Sequence, residues 1–209
     1  VKKIAIRTYS RKECVVFLKT NEAFGGLSNM AGGYPLNIAG IRINTSEALY
    51  QACRFPHLPD IQRLIISQSS PMTAKMRSKP YREQTRDDWL RVRVRIMKWC
   101  LRVKLMQNWA EFGSLLLSTN GRPIVEESRK DSFWGAISTD EEHLSGANVL
   151  GRLLMELRDE VVMNGVNAFK VLPPPVVENF NLMNNPISEI SLVEASIEMG
   201  GLTRQRDIF

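Results

Sequence analysis

Histidine and cysteine are scarce in this chain of 209 residues, which has two histidines (His57, His143) and three widely spaced cysteines (Cys14, Cys53, Cys100). With no CxxC pair, neither a zinc site nor a disulfide framework has the parts it needs, and a reduced, cytoplasmic compartment is expected. A His-dependent triad is poorly supplied too. No apolar run approaches the roughly 20 residues that cross a bilayer, so no membrane role is expected. The N-terminal stretch VKKIAIRTYS lacks the long apolar core of a secretory signal. The phosphate-loop pattern GxxxxGK(S/T) and the dinucleotide pattern GxGxxG are both missing, and there is no internal repeat. No metal or organic cofactor is expected from this inventory.

What is present is a composition of 44% hydrophobic and 24% charged residues, the balance of a folded domain rather than a disordered chain. The net charge of +6 is unevenly placed: residues 54–104 hold 13 basic and 4 acidic side chains, while the remainder is slightly acidic. A basic centre on a near-neutral chain points to an anionic partner such as a phosphate, a dinucleotide or a nucleic acid. A solvated helix face gives the same count.

Residues 13–19 read as a strand, and 35–44 as two short strands joined near Ala39-Gly40. Thr45 or Ser46 caps a helix through EALYQACRF that Pro56 ends. Short helices are expected at about 59–68 and 71–78, the latter with Pro71 in its first turn. The clearest element is a helix from about Asp87 to Leu117, broken near Gly113, in which Trp89, Val92, Ile96, Trp99, Val103 and Met106 repeat at three- and four-residue steps. A strand at 124–128, a polar loop over 131–147 and a helix over 148–163 follow. Beyond Gly165 the chain turns proline- and asparagine-rich, with a short amphipathic helix expected at 188–199. The organisation is therefore one domain over 1–165 and an extension over 166–209 that packs on the domain or a partner.

Three groups of residues can carry chemistry. Glu47, in the first turn of its helix, is favoured there by the helix dipole; beside Tyr50, Gln51 and Arg54 it can also bind ribose hydroxyls, orient water or accept a proton. Asp131 and Trp134 in KDSFWGA either close a turn and fill the core or place an acid and a stacking indole at a cleft. Trp89 has the same ambiguity. Lys75, Arg77, Lys79 and Arg82 form a compact positive cluster suited to phosphate or nucleic acid, or simply to solvent.

Taken in order, GGLSNM (25–30), TSEALYQACRF (45–55), SPMTAKM (70–76), RDDWLRVRVRIM (86–97), LLLSTNGRPIVEES (115–128), DSFWG (131–135) and GANVLGRLLMELRD (146–159) resemble the NADAR family, named for its association with NAD and ADP-ribose metabolism. The resemblance covers about residues 14–163. It implies a compact, mainly helical α+β fold with a few short strands, and hydrolysis of N-glycosidic bonds. Family substrates include ribosylamino intermediates of riboflavin synthesis and ADP-ribose on guanine; some members counter DarT-type toxins as antitoxins, removing ADP-ribose from guanine in DNA. That last activity is the leading expectation for this chain. The riboflavin-intermediate N-glycosidase and a non-catalytic ADP-ribose or nucleic-acid binding module are the alternatives. By matching position, Glu47 is the strongest catalytic candidate, with Asp131 aligning ligand or water, and Asn29, Trp89 and Trp134 hold ligand. Apart from the family match, Lys75, in its positive surroundings, is a candidate for a transient Schiff base with an opened sugar. The chain departs from the family pattern at Met30, where an aromatic is usual, at Ala48 in place of histidine, and at Arg54 in place of lysine.

Overall fold

A computed structural model describes residues 4–192. In chain order the elements are β1 (Arg7–Ser10), β2 (Val15–Phe17), β3 (Leu36–Ile38), β4 (Ile41–Ile43), α1 (Ser46–Ala52), α2 (Pro59–Ile66), α3 (Pro71–Ser78), α4 (Trp89–Gln107), α5 (Ser114–Leu117), β5 (Ile124–Glu126), β6 (Ile137–Ser138), β7 (His143–Gly146) and α6 (Val149–Asn164). Four two-residue strands follow, β8 (Val171–Leu172), β9 (Asn181–Leu182), β10 (Asn185–Pro186) and β11 (Ile190–Ser191). This is a helix-dominated α+β fold with short strands. The described chain divides into two compact units, one of residues 4–32 with 108–165, the other of 33–107 with 166–192.

In the first unit β7 lies between β1 and β6, antiparallel to both, with Arg7 opposite Gly146 and Ile137 opposite Ser145. The span 131–147 is thus not the loop its polarity suggests: β6 and β7 come from it. Strand β2 pairs in parallel with β5, Val15 opposite Ile124. Helix α6 buries its stripe of Leu150, Leu153, Leu154, Leu157 and Val161 and packs on β5. Two residues make that packing possible. Asn148 enters the helix in the left-handed region (φ 46°, ψ 48°) and ties its side chain to β5, donating from Nδ2 to the Ile124 carbonyl at 2.8 Å and accepting from the Glu126 amide at 3.2 Å. At Gly151 the approach is so close that a Cβ would sit 2.1 Å from the Ile124 carbonyl oxygen.

In the second unit β3 and β4 form a hairpin whose two turn residues, Ala39 (φ 49°) and Gly40 (φ 80°), both have positive φ. That is the turn geometry whose twist matches paired strands. Thr45 then caps α1, its hydroxyl accepting from the Ala48 amide at 3.2 Å. Ser70 caps α3 in the same way, with Pro71 in the first turn. Helix α1 packs against α2, α3 and α4. The long helix stops earlier than expected: Asn108 leaves helical geometry (φ −132°, ψ 46°), and a π-helical turn over Trp109–Gly113 leads into α5. The break is therefore at Asn108 rather than Gly113.

Residues 166–192 group with the second unit. Fully buried Gln62 of α2 donates to the Asn181 carbonyl at 2.9 Å and accepts from the Met183 amide at 2.7 Å. Phe180 meets Trp99 of α4 edge-on at 5.0 Å, and Arg95 donates to the Val176 carbonyl at 2.6 Å. Strands β8 and β11 pair antiparallel, so Ile190–Ser191 is extended where a helix over 188–199 was expected. Residues 193–199 of that expected helix lie outside the described residues.

Candidate active site

A helix places residues at i, i+3, i+4 and i+7 on one face, and α1 with its C-terminal continuation does this for Glu47, Tyr50, Gln51 and Arg54. Glu47 is only 4% exposed. Its Oε1 accepts from Gln51 Nε2 at 2.7 Å. Gln51 in turn accepts at Oε1 from Arg54 Nη1 at 3.1 Å and from the Ser78 hydroxyl, at the end of α3, at 2.9 Å. Arg54 is anchored again through Nη2, which donates to Thr85 Oγ1 at 2.9 Å.

Two aromatic rings complete this cluster. Trp89, at the start of α4, lies 5.1 Å from the Tyr50 ring, tilted by 45°, and the Arg54 guanidinium sits 5.5 Å over the Trp89 ring. Trp89 is brought there by its own segment: the Arg86 amide donates to the Arg54 carbonyl at 2.9 Å, and the Arg86 side chain pairs with Asp88. Burial pushes the Tyr50 hydroxyl well above its ordinary pKa, and the Glu47 charge adds to this, so the phenol stays protonated and can donate. Burial pulls Arg54 below its usual value, and the like charge of Arg82 adds to that pull. Arg54 remains a cation. Its sensitivity to Arg82 ties the exposed basic cluster electrostatically to the Glu47 group.

One residue of this region escaped sequence reasoning. Lys104 is fully buried on α4, with its amine 4.2 Å from the centroid of the Tyr34 ring. Burial lowers its pKa from 10.5 to about 7. Ile96, Cys100 and Lys104 stand one turn apart in a fully buried row, and Cys100 feels both the Cys53 thiol and the Glu47 charge. Lys104 thus continues the face of α4 that meets α1. The available signal was a lysine extending an apolar stripe at four-residue spacing.

The other expected site residues belong to the first unit or to the surface. Asn29 is buried just after the 3-10 turn Gly25–Leu27, beside Ser28, whose hydroxyl donates to Glu126 Oε1 at 3.2 Å and accepts from the Met30 amide at 3.1 Å. Asp131 is exposed, and its Oδ1 accepts from the amides of Phe133 and Trp134, both at 2.9 Å. Its described contacts therefore close the turn that presents Trp134. That indole is half-buried, with Phe133 edge-on to it at 5.1 Å. Lys75 and Arg77 on α3, and Lys79 and Arg82 in the 3-10 turn after it, are exposed. The structure therefore joins Glu47, Tyr50, Gln51, Arg54 and Trp89 into one linked group and adds Ser78, Thr85 and Lys104 to that part of the second unit. Among the described residues no trio of His, Cys, Asp and Glu is gathered for a metal ion, and no helix is long and apolar enough to cross a membrane.

Comparison with known proteins gives a concordant result. The family model of the NADAR domain matches residues 16–162. The N-glycosidase YbiA of Escherichia coli (strain K12) is 35% identical over 150 residues, covering 70% of this chain and 88% of YbiA. A riboflavin biosynthesis protein of Vibrio vulnificus (strain YJ016) is 31% identical over 158 residues, covering 75% of this chain and 41% of that longer protein. The NMR structure of E. coli YbiA superposes with a TM-score of 0.61 at 31% identity, covering 74% of this chain and 91% of YbiA.

Proposed function

The chain belongs to the NADAR domain family, and from that premise we propose that it is an N-glycosidase that cleaves the bond between ribose C1 and an exocyclic amine. The observation that carries this reading is a carboxylate only 4% exposed, with one oxygen fixed at 2.7 Å, in a cluster that also holds two aromatic rings and a cation. Cleavage of such a bond leaves positive charge on C1 and the ring oxygen, and sends the electron pair to the amine. A buried carboxylate stabilises that charge far better than one in water. It also accepts the proton of the attacking water, and the leaving nitrogen must gain a proton. Trp89 offers a flat face for a base or sugar, and Arg54, stacked on that ring, is placed to bind a phosphate or ribose oxygen.

A covalent variant of the same reaction uses a lysine amine on the ring-opened sugar: the amine bonds to C1, the exocyclic amine departs, and water then releases the sugar. Lys104, with a pKa of about 7, supplies a neutral amine near physiological pH. Lys75, first considered for this role, is exposed, and fully buried Lys104 is the second candidate. Borohydride trapping with peptide mapping distinguishes the two lysines.

For the substrate, we favour ADP-ribose linked to guanine in DNA, because the exposed group Lys75, Arg77, Lys79 and Arg82 supplies a field for several phosphates and Arg82 is felt at Arg54. The reading extends to an antitoxin paired with a DarT-type toxin. The riboflavin-pathway ribosylamine is the second reading, favoured by the relative named for riboflavin biosynthesis. Product release from guanine-linked ADP-ribose in DNA, its thymine-linked counterpart and a riboflavin-pathway ribosylamine separates them. If four cations meet phosphates of a single strand, affinity falls about 50-fold between 50 and 200 mM salt. Fast turnover of the small ribosylamine with a shallow salt response assigns the second reading instead. Ligand binding without product from any of the three leaves a binding module.

A further inference from the structure

We propose that Gln51 is the positioning residue for Glu47: its amide, locked in one orientation by Arg54 and Ser78, fixes the carboxylate in place and holds it in the ionised form during N-glycoside cleavage. The inference rests on the reading of Glu47 as the catalytic carboxylate and goes beyond it by assigning what controls that group.

The orientation of a glutamine amide follows from its neighbours. Arg54 has only donors and no acceptor. The Gln51 atom facing Arg54 Nη1 at 3.1 Å must therefore be the carbonyl oxygen, and the Ser78 hydroxyl at 2.9 Å adds a second donor to the same atom. Turning the amide over would set an NH2 group against a guanidinium N–H. The NH2 is thus forced toward Glu47, where it meets Oε1 at 2.7 Å. A group that can only donate at that point favours the carboxylate over the carboxylic acid. The one Ser78 hydroxyl proton is shared between Gln51 Oε1 and the Lys75 carbonyl 2.8 Å away, so Arg54, held in turn by Thr85, is the stronger of the two locks. The clamp is therefore built from three elements: α1, the end of α3 and the turn before α4.

Gln51 is 5% exposed, and both ends of its amide are engaged. One N–H of the Gln51 amide is taken by Glu47, and the second is the atom through which Gln51 can meet substrate, the role first expected of it.

Other groups also act on Glu47, and the test must separate them from Gln51. Tyr50 and Arg54 on α1 and Cys100 on α4 share a charge interaction with it. Lys104 lies one turn beyond Cys100. Helix α4 also offers Arg93, whose charge acts on Tyr50; α2 offers Asp60 and Arg63, α3 offers Lys75 and Arg77, and β4 offers Arg42, and these last five are exposed. Of these only Arg54 loses a partner when Gln51 alone is replaced, and its bond to Thr85 remains.

The test is the pH profile of kcat/KM together with a 13C NMR titration of the Glu47 carboxyl, on Gln51→Met, Gln51→Glu and Ser78→Ala. Methionine keeps length and removes the donor, so the acidic limb and the Glu47 titration are both expected to move up by about one pH unit, with kcat reduced about 10- to 100-fold and KM nearly unchanged. Glutamate sets two carboxylates side by side and moves the limb further, by about two units. Ser78→Ala removes one of two anchors and gives a smaller shift of the same sign; it carries the test if the Gln51 variants do not fold. A parental Glu47 titration in all three, or a loss confined to KM, overturns the proposal. Glu47→Gln is assayed alongside. If it is inactive while the Gln51 variants keep the parental profile, the positioning role alone is wrong; if it remains active, the reading of Glu47 falls and this proposal with it.

Discussion

Replacing Lys104 with methionine should change the pH dependence of stability in a direction set by burial. The folded amine titrates at about 7, against an ordinary value of 10.5. Across that window the unfolded chain binds a proton that the folded chain lacks, so stability rises with pH. Below pH 7 both states are charged and the folded state bears the whole cost of a buried ammonium, about 5 kcal/mol for a shift of this size. The Tyr34 ring beneath the amine offsets only part of that cost. Between pH 7 and pH 10 the parent should therefore gain about 3 kcal/mol relative to Lys104→Met, whose apolar side chain has no proton to bind. With a urea m-value of about 2 kcal/mol/M, the difference between the two midpoints should move by roughly 1.5 M. Urea melts of both proteins at the two pH values measure this, and common titrations cancel in the comparison. Parallel midpoints would refute the reasoning, because they would mean that Lys104 keeps an ordinary pKa. Where Lys104 is the nucleophile, the same variant forms no borohydride-trapped sugar adduct; an adduct that persists on Lys75 assigns the role there.

Substitutions at two further positions test the packing and the turn. Gly151→Ala puts a methyl 2.1 Å from the Ile124 carbonyl oxygen and against the Asn148 side chain; a loss of about 1–3 kcal/mol in chemical denaturation is expected, and an unchanged midpoint would mean that α6 does not seat on β5 as described. Asp131→Asn keeps an oxygen for the Phe133 and Trp134 amides, so it should retain both stability and most of the activity, whereas Asp131→Ala should lose about 1 kcal/mol; a large fall in kcat for the asparagine variant would give Asp131 a chemical role beyond the turn.

Much of the second unit, and helix α6 of the first, was legible because the signals are local. The Thr45 and Ser70 caps, Pro71 in a first turn, the Ala39-Gly40 hairpin and the apolar stripes of α4 and α6 each depend on neighbours within a few residues. The strands β6 and β7 were not legible: two and four residues are too few to show a period of two, and β7 pairs with β1 more than 130 residues away. The end of α4 was misplaced because glycine is a stronger breaker than asparagine in sequence. Gly113 in fact sits where a Cβ would come within 2.9 Å of the Trp109 ring.

Not all of the basic centre is on the surface. Lys104 is buried over the Tyr34 ring, and Arg86 is 8% exposed and paired with Asp88, so neither adds to a surface field for a polyanion. For the candidate site, the α1 face bearing Glu47, Tyr50, Gln51 and Arg54 could be read from spacing. The roles of Ser78, Thr85 and Lys104 could not, because each depends on helices meeting in space.

The central claim is that Glu47 performs the proton chemistry of N-glycoside cleavage, and single-turnover cleavage of a ribosylamine by Glu47→Gln measures it directly. The variant keeps the shape of the side chain and loses its charge. The rate should fall by about 10^2–10^4-fold while ligand affinity is retained; a rate close to that of the parent would contradict the account.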